Sequence, residues 1–157
     1  MAKTELTKHA EHCLWRHTNK MGVFGCFEVT IGWFGKEIVD YITYDTNVEI
    51  RCYEIKVSKS DFLSKANKTF IGHFNYFIMP RELYQQLIDE NNSSLNSWLF
   101  SGIGIYVFDE RCLMLECVRK AKRKVVTHGQ TSEVLESMLR STNREMKKFY
   151  LKNPYWE

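Results

Sequence analysis

Glu54 and Lys56 stand two residues apart in the run Val48-Glu49-Ile50-Arg51-Cys52-Tyr53-Glu54-Ile55-Lys56-Val57, and Asp40 lies in a similar run just before it. A β-strand sends alternate side chains to opposite faces, so Glu54 and Lys56 share one face. Tyr53, Ile55 and Val57 take the other, where a core would want them. An acid and a base placed this way add nothing to packing and cost free energy unless paired with each other, a metal or a ligand. Asp40 sits mid-run between Val39 and Tyr41, and a short turn between neighbouring strands brings it near Glu54. Two carboxylates held together repel, so one raises its pKa or both share a divalent cation. A hard cation such as Mg²⁺ takes oxygen ligands and keeps several waters, leaving room for a phosphate. Lys56 can stabilise charge developing on that phosphate or help deprotonate an attacking water. The plainer reading of the spacing is a carboxylate–lysine ion pair on a solvated sheet face.

Three strands must position these groups: Phe24 to Ile31, Glu37 to Tyr44, and about Glu49 to Val57. Gly32-Trp33-Phe34-Gly35 and Asp45-Thr46-Asn47 supply the turns, which makes the three an antiparallel meander. Before them, Thr4 to about Lys20 reads as a helix capped by Thr4, with Leu6, Ala10, Cys13, Leu14 and His17 on one stripe. After them, Ser58 or Ser60 caps a short helix to about Asn67. Phe74 to Met79 is an apolar, central strand, and Pro80 opens a helix to about Glu90. Asn91 to Asn96 reads as a polar loop. Ile103 to Phe108 and Cys112 to Val118 form a hairpin turning at Asp109-Glu110. A last helix runs from Gln130 to about Tyr150, with Val134, Leu135, Met138 and Leu139 as its buried stripe. The order predicts a mixed α/β fold, and no repeat or linker divides residues 1–157, so one domain is expected.

Composition narrows the function classes. An apolar content of 44% and aromatic content of 14% fit a folded globular chain. The longest apolar runs are too short to span a bilayer, and the first residues lack the apolar stretch of a signal peptide. Five scattered cysteines without a C-x-x-C pair argue for reduced thiols and a cytoplasmic protein. Net charge is only +3, but Arg119, Lys120, Lys122, Arg123 and Lys124 form a basic run, and Arg140, Arg144, Lys147, Lys148 and Lys152 crowd the last helix. Positive charge gathered late in the chain predicts one basic face.

Asp40, then Glu54-Ile55-Lys56 on the next strand, then a helix and an apolar strand, resembles the PD-(D/E)XK nuclease superfamily, with a restriction-endonuclease-like αβββαβ core. Val39 replaces the proline usually drawn before the aspartate. Within that superfamily the chain looks closest to the MmcB-like DNA-repair family. Glu54-Ile55-Lys56-Val57-Ser58-Lys59-Ser60-Asp61-Phe62 is similar to its E-V-K-x-S-x-x-D-F segment, and Asn75-Tyr76-Phe77-Ile78-Met79-Pro80 to its aromatic strand ending in proline. Gly102-Ile103-Gly104-Ile105 and the following hairpin resemble its next two strands, so the likeness spans residues 24–120. The resemblance implies a Mg²⁺- or Mn²⁺-dependent hydrolase of DNA phosphodiester bonds, working in repair, recombination or phage DNA processing. By it, Asp40, Glu54 and the Ile55 carbonyl would ligate the metal, and Lys56 would sit against the water or the scissile phosphate. A further acid comes from Glu28 or, second, Glu11. Small nucleases of this type often pair up to reach two strands, so a homodimer is an expected assembly. The competing expectation is a nuclease-like fold that binds DNA or a repair partner without cutting.

Other residues extend this picture. Ser58 and Lys59, where the third strand hands over to the helix, can meet a DNA backbone, although capping explains Ser58 and Asp61 as well. Lys65 and Lys68 can continue a phosphate track, and the run Arg119 to Lys124 can make sequence-independent phosphate contacts. His9, Cys13 and His17 recur at a spacing zinc uses, but no second ligand pair accompanies them, which favours a partly buried helix face. Tyr155 and Trp156 can stack on bases but cover apolar surface more readily.

Overall fold

The computed structural model describes residues 2–65 and 68–156. Helix α1 (Glu5–Thr18) is capped by Thr4, whose Oγ1 accepts from Thr7 N–H. Strands β1 (Val23–Thr30), β2 (Ile38–Asp45) and β3 (Ile50–Ile55) follow as an antiparallel meander. A four-residue helix α2 (Lys59–Phe62) leads to β4 (Phe74–Pro80), which pairs parallel to β3. Helices α3 (Arg81–Asp89) and α4 (Ser93–Phe100) connect β4 to β5 (Gly104–Phe108), again parallel. β6 (Leu115–Arg119) turns back antiparallel, and α5 (His128–Lys152) closes the chain. The six strands lie in the order β1-β2-β3-β4-β5-β6, a mixed sheet flanked by helices. Among the described residues no helix is long and apolar enough to cross a membrane.

The sheet is buried on both faces because its central strands alternate two sets of apolar residues. Tyr76 and Ile78 of β4 join Tyr53, Ile55 and Phe108 under Ala10, Cys13 and Leu14 of α1. Phe77 and Met79, one step out of phase, pack on the other side with Phe62 of α2, Leu83 and Leu87 of α3 and Leu95 of α4. On that second side α5 makes a separate cluster, in which Val134 and Met138 meet Cys26, Val29, Val39, Ile42 and Cys52. The face opposite α1 therefore has two cores side by side. Glu54 lies at the seam, with its β4 partner Phe77 in one core and Cys52, two residues back, in the other.

Three expectations need correction. Asn91–Asn96 is not simply a loop: Asn92 accepts from Leu95 N–H and caps α4, so the asparagine that suggested a turn starts a helix. α2, capped by Ser58, stops at Phe62, well before the expected end; Asn67 lies outside the described residues. On α5, Leu139 is 70% exposed, and Ser137 and Ser141 take its place beside Val134 and Met138 on the stripe that meets the sheet. Small side chains there let the helix approach β1, and Ser137 Oγ accepts from Gly32 N–H at 3.1 Å.

Phe77 is fully buried between Phe62, Phe70 and Trp98, with ring centroids 5.0 to 5.7 Å away. Phe77→Ala is expected to cost about 3–5 kcal/mol in urea unfolding. Phe100→Ala, at a position 90% exposed, should change the same midpoint by less than about 0.5 kcal/mol.

Candidate functional site

Asp40, Glu54 and Lys56 come together at the carboxyl end of β3. The ladder between β2 and β3 stops at Tyr41 and Tyr53. Extending its register by one residue sets Asp40 directly across from Glu54. The Ile55 N–H, which would have continued the ladder, instead donates to Asp40 Oδ2 at 2.7 Å. Because the N–H and C=O of a strand residue point the same way, the Ile55 carbonyl also faces this gap. Glu54 is 3% exposed, and its Oε1 is buried without a hydrogen-bond partner. A buried oxygen left unpaired costs on the order of 1–3 kcal/mol, and more when the group is charged.

Lys56 continues the pairing of β3 with β4 through its N–H on Ile78 O, at 2.9 Å, so its backbone is fixed. Its ammonium lies near both carboxyls and 3.6 Å from Asp61 Oδ1. Asp61 Oδ2 in turn accepts from Val57 N–H at 3.3 Å, and Asp61 N–H donates to Ser58 Oγ at 3.2 Å. The short α2 thus acts as a clamp that aims Asp61 at Lys56. The S-x-x-D spacing signals Asp61 as a capping residue, and only the fold shows that it also meets Lys56.

Burial raises the Glu54 pKa to about 9, the neighbouring Asp40 charge adds to the rise, and Lys56 and the Thr69 N–H oppose it. Asp40 is also raised, first by burial and then by Asp61, against the Ile55 N–H and Lys56. With both acids pushed upward, the pair holds a proton at neutral pH. Lys68 is near enough for its pKa to be lowered, first by burial and then by Lys56. The segment after α2 thereby closes the cluster, and Thr69 Oγ1 anchors it by donating to Glu37 Oε2 at 3.2 Å.

The remaining predicted residues distribute differently. Glu28 lies opposite Asp40 in the register of β1 and β2, but its φ of 53° turns it aside. Its carboxylate pairs with Lys3 at 3.2 Å, and Lys3 also binds Glu11. Neither acid is brought to the pair. Lys59 reaches Glu90, the C-cap of α3, at 2.6 Å, and Lys65 is exposed beyond α2. The basic run lies at the opposite end of the parallel strands: Lys122 N–H donates to Gly102 O, before β5, and Lys124 N–H to His73 O, before β4. Arg119, Lys120 and Arg123 follow that same edge, exposed. His9 Nε2 lies 3.0 Å from the carbonyls of Asp109 and Cys112, Cys13 Sγ faces Cys112 O, and His17 packs on Tyr106, an ordinary helix face. Tyr155 and Trp156 are 79% and 63% exposed, and their rings meet each other and Tyr150.

No family model and no curated protein matches the sequence. Among solved structures, a protein of unknown function from Silicibacter pomeroyi superposes with a TM-score of 0.73 at 17% identity, covering 98% of this chain and 95% of that one. The two share a fold. At that identity the likeness carries nothing about activity.

Among the described residues no group of three or more His, Cys, Asp or Glu is arranged to hold a metal. Mg²⁺ needs fewer, since one or two carboxylates and retained waters suffice. Asp40 Oδ1, the unpartnered Glu54 Oε1 and the Ile55 carbonyl make an oxygen set of the type a hard cation takes.

The raised Glu54 pKa has a direct consequence in metal-free buffer. The folded state binds this proton more tightly than the unfolded chain, so the stabilisation is complete below about pH 4.5 and is lost as pH rises toward 9. Urea midpoints measured at pH 5, 7 and 9 should fall with a contribution of up to about 1.4 kcal/mol per pH unit from this group. Glu54→Gln should flatten that slope; a wild-type stability independent of pH over this range would contradict the assignment.

Proposed function

We propose that this chain is a divalent-cation-dependent phosphodiesterase acting on DNA, similar in its centre to the PD-(D/E)XK nucleases and to the MmcB-like DNA-repair family. The observation that supports this reading is the convergence of Asp40, Glu54 and Lys56 around a buried, unpartnered carboxylate oxygen. A buried carboxylate oxygen without a partner is stabilised by a cation that coordinates it.

Each side chain then has a separate task. Asp40 keeps Oδ2 on the Ile55 N–H, which fixes its rotamer and leaves Oδ1 for the cation. Glu54 offers Oε1, and the Ile55 carbonyl completes the protein's share. Bound Mg²⁺ or Mn²⁺ supplies charge neutralisation at the phosphate and lowers the pKa of a water. Lys56, fixed by its backbone and by Asp61, places a positive charge where the phosphate gains negative charge. Asp61 is a positioning residue, acting through Lys56. All five cysteines are free, which suits a reducing compartment such as the cytoplasm.

The commitment of Glu28 to Lys3 favours a second reading, a nuclease-like fold that binds DNA or a repair partner without cutting. Cleavage assays separate the two. On supercoiled, linear and branched DNA, wild type with Mg²⁺ or Mn²⁺ should cut, and EDTA should stop it. Asp40→Asn and Lys56→Ala should each lower the rate about 100-fold or more. Salt-sensitive binding without cleavage on any of these substrates would carry the second reading instead. Mg²⁺ should also raise the thermal midpoint more at pH 8 than at pH 5, because at low pH protons compete for the same carboxyls.

A further inference from the structure

From Cys117 to Ser132 the chain carries five lysines and arginines and not one acid. Arg119, Lys120, Lys122 and Arg123 are exposed, and Lys124 is half-buried. None of the five has a carboxylate partner among the described residues. Asp45 and Glu49, which flank the turn into β3 at the same end of the sheet, are both engaged by Arg51, at 2.8 and 3.0 Å. Five like charges along one stretch repel one another, and the core has no use for them.

The stretch is a fixed strap across the amino ends of β4 and β5. Lys122 N–H donates to Gly102 O at 2.9 Å, and Lys124 N–H to His73 O at 2.7 Å. Alternate amides that point the same way mark extended chain, so Arg119 to Lys124 covers about 17 Å. Ala121, the one apolar residue among them, packs into the core that holds Tyr76. The Lys122 stem lies against Gly102, whose φ is 90° and where a Cβ would fall 3.0 Å from the Lys122 Cβ. Beyond the strap, Val126 enters the core under α5. The strap is related to the acid pair through β4. Lys56 N–H donates to Ile78 O, five residues on from His73, which sets Lys56 and the inner end of the strap about 17 Å apart along that strand.

We infer that Arg119, Lys120, Lys122 and Arg123 form a phosphate track that grips duplex DNA at a place separate from the acid pair. The charge pattern calls for a linear polyanion; that the polyanion is DNA rests on the nuclease reading. A duplex carries one negative charge per about 1.7 Å of axis, so phosphates are at hand all along the strap. A lone carboxylate on a protein partner would answer one of these cations and leave the others. A lipid surface is held firmly by cations together with apolar side chains that enter it, whereas the apolar residue of the strap is turned into the core. Because the backbone is pinned, binding orders only the side-chain ends. At a rise of about 3.4 Å per base pair, 17 Å is about five base pairs, so the phosphates gripped here are not those that would meet Glu54. Contacts to phosphates alone carry no sequence preference.

Fluorescence anisotropy in EDTA, where no cleavage occurs, tests the inference with a labelled blunt duplex over a range of salt. The triple variant Lys120→Gln, Lys122→Gln, Arg123→Gln should bind at least about tenfold more weakly at low salt. The slope of log K on log salt should shrink by about 2.7, from three lost contacts at about 0.9 each. Its thermal midpoint should stay that of wild type, since all three side chains are exposed. A second triple, Lys147→Gln, Lys148→Gln, Lys152→Gln, removes the same charge from α5 and should keep the wild-type affinity and slope. Equal losses in both triples overturn the inference, because net charge and not the strap would then set the binding. Unchanged affinity in the strap variant also overturns it, as does strap-dependent binding to phosphatidylserine vesicles with none to DNA. Strap-dependent DNA binding by a protein that cuts nothing would sink the nuclease reading and keep this one. Metal-dependent cleavage with an affinity indifferent to the strap would do the reverse.

Discussion

Two acids are held against each other at the point where the β2–β3 ladder gives out, and the surrounding structure is arranged around that repulsion. Asp40 and Glu54 would separate or expose themselves if either strand were free to move. β2 is fixed by β1 on one side and β3 on the other, and β3 is fixed by parallel pairing with β4 as far as Lys56. Three groups oppose the repulsion: the Ile55 N–H on Asp40, the Lys56 ammonium beside both, and the Thr69 N–H on Glu54. None of them removes the cost of burying the charges, so the pair retains a proton.

The seam between two cores explains how such a site survives inside a well-packed sheet. Phe77 and its neighbours fill the space under α3 and α4, and Val134 and Met138 fill the space under α5. Each core is complete without the other. The gap between them needs no apolar residue, and the segment after α2 crosses it, with Phe70 packing into one core and Ile71 into the other. Polar groups on that segment can therefore face Glu54 without being stranded. An acid pair in the middle of either core would have had no such backbone to meet.

Much of this was legible in the sequence because strand and helix periods are local. The period of two through Glu54, Ile55 and Lys56 placed acid and base on one face, and the runs Ile38 to Asp45 and Phe74 to Pro80 have the composition of strands. What was not legible depended on tertiary partners. Asn92 looks identical as a turn residue and as a helix cap until the helix that follows finds a core for Leu95. Leu139 belongs to the apolar pattern of α5, but β1 comes so close that serines are preferred on the contact side. Glu28 has the right register to join Asp40, and only a backbone turn at that residue, invisible in the sequence, sends it to Lys3. Asp61 had a readable motif, whose second role appears only when Lys56 folds back toward it.

The same distinction governs the charge distribution. Net charge of +3 and a basic run at Arg119 to Lys124 predict one positive face, but the acid pair is not on it. The topology separates them, because the run follows β6, which leads back to the amino ends of β4 and β5, whereas Lys56 stands at the carboxyl end of β3. The run is not among the groups that act on Asp40 and Glu54; the near cations are Lys56 and Lys68. Lys68 shows the cost of this arrangement, since its own pKa is lowered by burial and by Lys56. With Asp61 counted, the cluster holds three acids and two bases, so a single proton shared by Asp40 and Glu54 brings it to balance.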